Sequence, residues 1–158
     1  AVGKTTIGKI VAKKLNLEFI DTDSCIEKKN SMLIKEIFKK KGEKFFRIEE
    51  KKEVLKSLQK KNCVIALGGG AFINKTIREN ILKNDISVWL DVDIQILSSR
   101  MKHNQKRPLL NYQNSSQKLE ELYSKRKHVY ELANHRIICD KLTKNNIAER
   151  IITLYEKY

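Results

Sequence analysis

Short apolar runs alternate with longer amphipathic stretches along almost the whole chain, and this alternation restricts the fold more than any other feature. Glu18-Phe19-Ile20-Asp21, Cys63 to Leu67, Ser87 to Asp91 and Arg136 to Cys139 read as strands, each too short for a helix and bounded by turn or polar residues. Between them apolar residues return at helical spacing, as Ile7, Ile10, Val11 and Leu15 do within Lys4 to Leu15. Further helices are expected from Ser31 as a cap to Lys41 with Gly42 as the stop, from about Glu43 to Lys60, and from about Lys75 to Lys83. Others are expected from Asp93 to Met101, up to about Ala133, and from about Lys144 to Tyr155. Strand and helix in turn imply an α/β fold, a parallel sheet flanked by helices. The 158 residues, 41% of them apolar, suffice for one core, so a single domain spanning 1–158 is expected. No internal repeat or linker divides it. Lys102 to Ser116 is polar and holds the only proline, which reads as a mobile loop.

Charge and cysteines narrow the partners. The net charge of +14 raises the question of polyanions, but of 33 basic residues only Arg47, Arg78, Arg100, Arg107, Arg126, Arg136 and Arg150 are arginine. The lysines are scattered over every polar face, and no basic run is interleaved with base-stacking aromatics. A solvated lysine surface is therefore expected, with neither nucleic acid nor membrane as partner. The apolar runs are too short to cross a bilayer, and nothing resembles a signal peptide. Cys25, Cys63 and Cys139 are odd in number and lack metal-ligand spacing. A reduced, cytoplasmic protein follows.

Several motifs can carry chemistry. Ala1-Val2-Gly3-Lys4-Thr5-Thr6 matches the second half of a phosphate loop, whose amides, lysine and hydroxyl meet a polyphosphate and its Mg²⁺ at a helix start. A hydrophobic strand ending in Gly-x-x is expected immediately upstream. The same string also suits an ordinary glycine-containing helix start. Asp21 and Asp23 flank Thr22; on an extended strand end their carboxylates point to one side, about 7 Å apart. One carboxylate can hold Mg²⁺ through water while the other receives a substrate proton. Asp-Thr-Asp equally suits a turn with a helix-capping Asp. Gly68-Gly69-Gly70 follows an apolar strand; close approach of a ligand to backbone explains three glycines, and a tight turn explains one or two.

The arginines are open in the same way. Arg47 follows Phe45-Phe46 and precedes Glu50 at the i+3 position, so an ion pair within the helix competes with a binding role. Arg107, in Arg107-Pro108-Leu109-Leu110, is either a loop-surface residue or one that closes over developing phosphoryl charge. Arg100 can cover an adenine face or favour the dipole of its own helix end. Arg126, one turn before Tyr130, is a carboxylate clamp or a surface residue.

Taken in order and spacing, Gly3-Lys4-Thr5-Thr6, Asp21-Thr22-Asp23, Phe46-Arg47 with Glu50, Gly68-Gly69-Gly70, Arg100, Arg107-Pro108-Leu109-Leu110 and Arg126 with Tyr130 resemble the shikimate kinases over nearly the whole chain. The resemblance implies a P-loop kinase fold like that of nucleoside monophosphate kinases. It carries a substrate-binding helical segment near 24–60 and a lid near 102–116, and its first strand is missing from this chain. It implies ATP-dependent phosphorylation of shikimate to 3-phosphoshikimate, in chorismate and aromatic amino-acid biosynthesis, by a cytoplasmic monomer. Gly3, Lys4, Thr5 and Thr6 would bind ATP, with Lys4 on the β- and γ-phosphates. Thr5 and Asp21 would hold Mg²⁺, Asp21 through water. Asp23 would orient and deprotonate the attacking hydroxyl, Arg47 and Arg126 would grip the substrate carboxylate, and the Gly69 and Gly70 amides would meet the ring hydroxyls. Arg107 would stabilise the transferring group, and Arg100 would pack on adenine. The rival readings are another small-metabolite kinase of this fold, such as a gluconate kinase, and a catalytically silent nucleotide-binding or polyanion-binding module.

Overall fold

The computed structural model describes residues 2–102 and 115–158, leaving out the side chains at 100–102, 115, 116 and 118. Four short strands, β1 (Glu18–Asp21), β2 (Cys63–Ala66), β3 (Val88–Asp91) and β4 (His135–Ile138), are separated by helices. The helices are α1 (Lys4–Leu15), α2 (Thr22–Asn30), α3 (Ile34–Ser57), α4 (Lys75–Asn84), α5 (Ile94–Lys102), α6 (Ser115–Tyr130) and α7 (Lys144–Tyr155). A short 3₁₀ turn, Ala71–Ile73, precedes α4. β1 pairs in parallel with β2, Glu18 opposite Cys63 and Asp21 opposite Ala66. β3 pairs in parallel with β4, Val88 opposite His135 and Asp91 opposite Ile138. Parallel pairing brings the carboxyl ends of both partners to one edge, the side on which ligands bind in such sheets.

The two pairs are not hydrogen-bonded to each other among the described residues, so the expected single sheet appears as two parallel ladders. They share one core nonetheless. Ile7 and Val11 of α1, Ile147, Ala148 and Ile152 of α7, and Ile137 of β4 are buried together, with Val64 of β2 and Val88 and Leu90 of β3 packed against them. Each such aliphatic side chain removed from water contributes roughly 1.5–3 kcal/mol, so α1 and α7 clamp both ladders. A second cluster joins Val54 of α3 to Ala71, Phe72, Ile77 and Ile81, and a third joins Ile26 of α2 to Ile37 and Phe46 of α3. No described helix is long and apolar enough to cross a membrane.

One local expectation is corrected and another is met. Ser31 is the left-handed C-cap of α2, φ 49°, rather than the start of the next helix. The amides at that start are met from farther away, because the Ile34 N–H donates to Glu27 Oε1 at 2.9 Å and the Leu33 N–H donates to Glu36 Oε2 at 2.9 Å. Gly42, with φ 82° and ψ 167°, breaks the helical backbone inside α3, so the expected stop at Gly42 and new helix from about Glu43 are both found, the second stretch running to Ser57. Only glycine takes that backbone conformation without strain.

Candidate active site

At the amino end of α1 lies a set of groups suited to a polyphosphate. Gly3 caps the helix with φ 90°, a left-handed conformation that L side chains rarely adopt, and Lys4, Thr5 and Thr6 form the first turn. The Thr5 hydroxyl donates to Asp21 Oδ2 at 2.6 Å. The other oxygen, Asp21 Oδ1, accepts the Ser24 N–H at 3.2 Å and so caps α2. The strand-end arrangement expected for the two aspartates is thereby corrected. The strand stops at Asp21 and Asp23 sits in the first turn of α2, because a capping carboxylate satisfies amides that a longer strand would leave unpaired.

Thr5 and Asp21 suit Mg²⁺, which takes one or two carboxylates plus phosphate oxygens and water. Among the described residues no cluster of three or more His, Cys, Asp or Glu could hold a metal by itself.

Thr22 links this end to the next. Fully buried, its hydroxyl donates to the Ala66 carbonyl at 3.2 Å and accepts the Gly68 N–H at 3.2 Å. The entry to the glycine loop is thus tied back to the aspartate motif. A Cβ on Gly68 would stand 2.6 Å from Asp23 Oδ1 and 2.7 Å from Glu50 Oε1, so two carboxylates converge on a point only glycine leaves open. Glu50 is 3% exposed. Burial, with the Asp23 charge added to it, raises its pKa above the ordinary value, against the lowering pull of Arg47.

Arg47 completes the next side. Its Nη1 donates to Glu50 Oε2 at 2.7 Å, and its Nε and Nη2 donate to Glu43 Oε1 at 3.2 and 3.1 Å. Burial acts to lower the Arg47 pKa, but Glu50 and then Glu43 outweigh it and raise the value. A Cβ on Gly70 would lie 2.5 Å from Arg47 Nη1. From α6, Arg126 Nη1 donates to the Gly69 carbonyl at 3.2 Å, and the Tyr130 hydroxyl donates to the same oxygen. Glu43, Arg47, Glu50, Gly70 and Arg126 line one cavity of about 350 Å³, enough for a small ring. A larger depression of about 500 Å³ between β4 and α7 holds none of these groups.

The structure therefore brings Thr5, Asp21, Asp23, Arg47, Gly69, Gly70 and Arg126 to one connected region. The ion pair within the helix expected as the rival for Arg47 is also present, so pairing and cavity lining are compatible. Arg100 falls in α5 with its side chain outside the described residues, and Arg107 lies with residues 103–114, most of the lid expected near 102–116, outside them altogether. The sequence offers no role for Thr22 or Arg78. Arg78 Nη1 donates to the carbonyls of Phe72 and Ile73 at 3.1 and 3.0 Å, tying down the 3₁₀ turn behind the glycines. The one available signal is an Arg placed four residues after Asn74, whose side chain caps α4.

Comparisons with known proteins identify the family. The family model described as "Shikimate kinase" matches residues 1–156. A shikimate kinase from Sulfurihydrogenibium sp. is 43% identical over 96% of this chain and 90% of its own length. One from Bartonella henselae is 39% identical over 99% of this chain and 75% of its own length. Among solved structures, shikimate kinase from Acinetobacter baumannii in complex with shikimate superposes with a TM-score of 0.93 at 34% identity, covering 99% of this chain and 88% of that one. On these grounds the chain belongs to the shikimate kinase family.

Proposed function

We propose that this protein transfers the γ-phosphoryl group of ATP to a ring hydroxyl of shikimate. The observation that carries the reading is the chain of contacts through the glycine loop. A phosphate-type helix start with Thr5 and Asp21 lies at one end, and a cavity with two arginines lies at the other. Asp23 and Gly68 stand between them.

Phosphoryl transfer needs alignment and charge neutralisation more than covalent participation by the protein. Lys4 and the α1 amides receive the β- and γ-phosphates. Thr5 and Asp21 hold Mg²⁺, which when bound neutralises phosphate charge. Arg47 and Arg126 fork onto the substrate carboxylate, a geometry that lysine cannot reproduce. Asp23 aligns the attacking hydroxyl and accepts its proton as the new P–O bond forms and the bond to the leaving ADP oxygen breaks. Gly69 and Gly70 bring backbone close to the ring. Arg107 neutralises charge on the moving group and Arg100 covers adenine, roles that rest on the family resemblance alone.

The A. baumannii enzyme was solved with shikimate bound, and the two-arginine cavity of this chain suits such a carboxylate better than a nucleotide acceptor. The test is ADP release by the full-length protein from MgATP, measured with and without shikimate and with gluconate as the competing acceptor. Release that depends on shikimate is expected. Equal release with gluconate, or none with either, contradicts the proposal.

A further inference from the structure

Tyr130 has no part in the transfer as described, yet its hydroxyl reaches into the glycine loop. Arg126 and Tyr130 are four residues apart on α6, so they share a helix face, and both donate to the Gly69 carbonyl. The peptide bonds of the described residues are trans. The Gly69 C=O and the Gly70 N–H, which belong to one peptide plane, therefore point in opposite directions. Holding the carbonyl toward α6 turns the Gly70 amide the other way. Within the turn, Ala71 N–H donates to Gly68 O and Ile73 N–H to Gly70 O, while the Gly70 amide meets no acceptor among the described residues. Gly70 also lines the cavity that holds Arg47 and Arg126.

Arg126 has N–H groups to spare for a carboxylate, but a shift of its guanidinium toward that carboxylate draws Nη1 away from the Gly69 carbonyl, whereas the Tyr130 hydroxyl stays. We propose that Tyr130 is the positioning residue of the acceptor site. Its hydroxyl keeps the Gly69–Gly70 peptide oriented, with the Gly70 N–H facing the acceptor, when Arg126 turns to the substrate carboxylate. This rests on the reading of the cavity as the shikimate site. Its ring also contacts Trp89, centroids 6.1 Å apart, so Tyr130→Phe removes the donor while keeping the packing.

Two measurements on the full-length protein test the proposal. In steady-state kinetics Tyr130→Phe raises the shikimate KM about tenfold, as expected for one hydrogen bond to a poised group. Its kcat, ATP KM and melting temperature stay near wild type. In hydrogen exchange without any substrate, the Ala71 and Ile73 amides, whose acceptors are Gly68 O and Gly70 O, exchange about tenfold faster in the variant, whether or not shikimate is the acceptor. An unchanged shikimate KM overturns the proposal, as does a parallel loss of kcat, both KM values and melting temperature. If wild type does not use shikimate, the functional reading fails on its own and the exchange measurement decides the positioning role, with unchanged exchange overturning it.

Discussion

Two arginine–carboxylate pairs in this molecule are built from nearly the same parts and do different work. Arg47 holds buried Glu50 and lies over Phe46, 5.3 Å from the ring centroid. Arg136 holds buried Asp91 through Nε and Nη2, at 2.9 and 2.6 Å, and lies over Trp89 at 4.9 Å. The difference lies in what else faces each pair. Asp91 has its second oxygen taken by the Tyr123 hydroxyl at 3.0 Å, so its surroundings are complete and the cluster struts β3 to β4 and α6. Glu50 stands beside Asp23 hard against Gly68, and Arg47 fronts a cavity with Arg126. Room alone does not separate them, because Arg136 borders the larger depression together with Arg150; what marks the Arg47 side is the convergence of Asp23 and Glu50 on the glycine loop.

The comparison is broken most directly by neutralising one aspartate in each region. Asp23→Asn is expected to lower kcat by about a hundredfold or more, the scale of general-base loss, with the ATP KM little changed. Asp91→Asn is expected to lower the melting temperature and leave kcat near wild type. Steady-state kinetics with thermal melts decide; a near-normal kcat for Asp23→Asn removes it from its role. Next in size, Arg126→Lys is expected to raise the shikimate KM by an amount corresponding to roughly 1.5–3 kcal/mol, the range for a charged hydrogen bond. A KM that does not move places the carboxylate elsewhere.

Much of this division is legible in the sequence, and the gaps have physical causes. α1 declares itself because Ile7 and Val11 recur at helical spacing and are buried, and the strands are visible as short apolar runs. α2 escapes a reading of the pattern because Thr22 and Ile26 are its buried residues, too few for a period to show. Thr22 is hidden for a similar reason: between two aspartates it reads as part of a turn, and its partners Ala66 and Gly68 are distant in sequence. Tyr130 is likewise far along the chain from Gly69. The Arg47–Glu50 spacing is plain, but spacing cannot tell a strut from a site, as Arg136 and Asp91 demonstrate.

Titration sharpens the contrast at smaller scale. The Glu50 pKa is raised from an ordinary value of 4.5, so the folded state favours its protonated form. The associated stability is fully present below pH 4.5 and lost as pH rises through the raised value. Lowering the pH from 7 toward 5 should therefore stabilise wild type relative to Glu50→Gln in denaturant melts, and a difference constant with pH refutes this. Its neighbour Glu49 is shifted the other way, by the Lys29 hydrogen bond first, so its contribution is lost as pH falls. The strut titrates at the alkaline end. Burial, then the Asp91 hydrogen bond, pushes Tyr123 up from 10.0 to about 12, so its contribution holds below pH 10 and fades through about 12. Ultraviolet titration should show a late ionisation from Tyr123, and Tyr123→Phe should abolish that step.

Calorimetric titration of shikimate into wild type, Arg47→Lys and Arg136→Lys tests the division between site and strut most directly. The account predicts a dissociation constant raised about tenfold or more by Arg47→Lys, and an unchanged one for Arg136→Lys. Equal weakening by both replacements, or by neither, would contradict it.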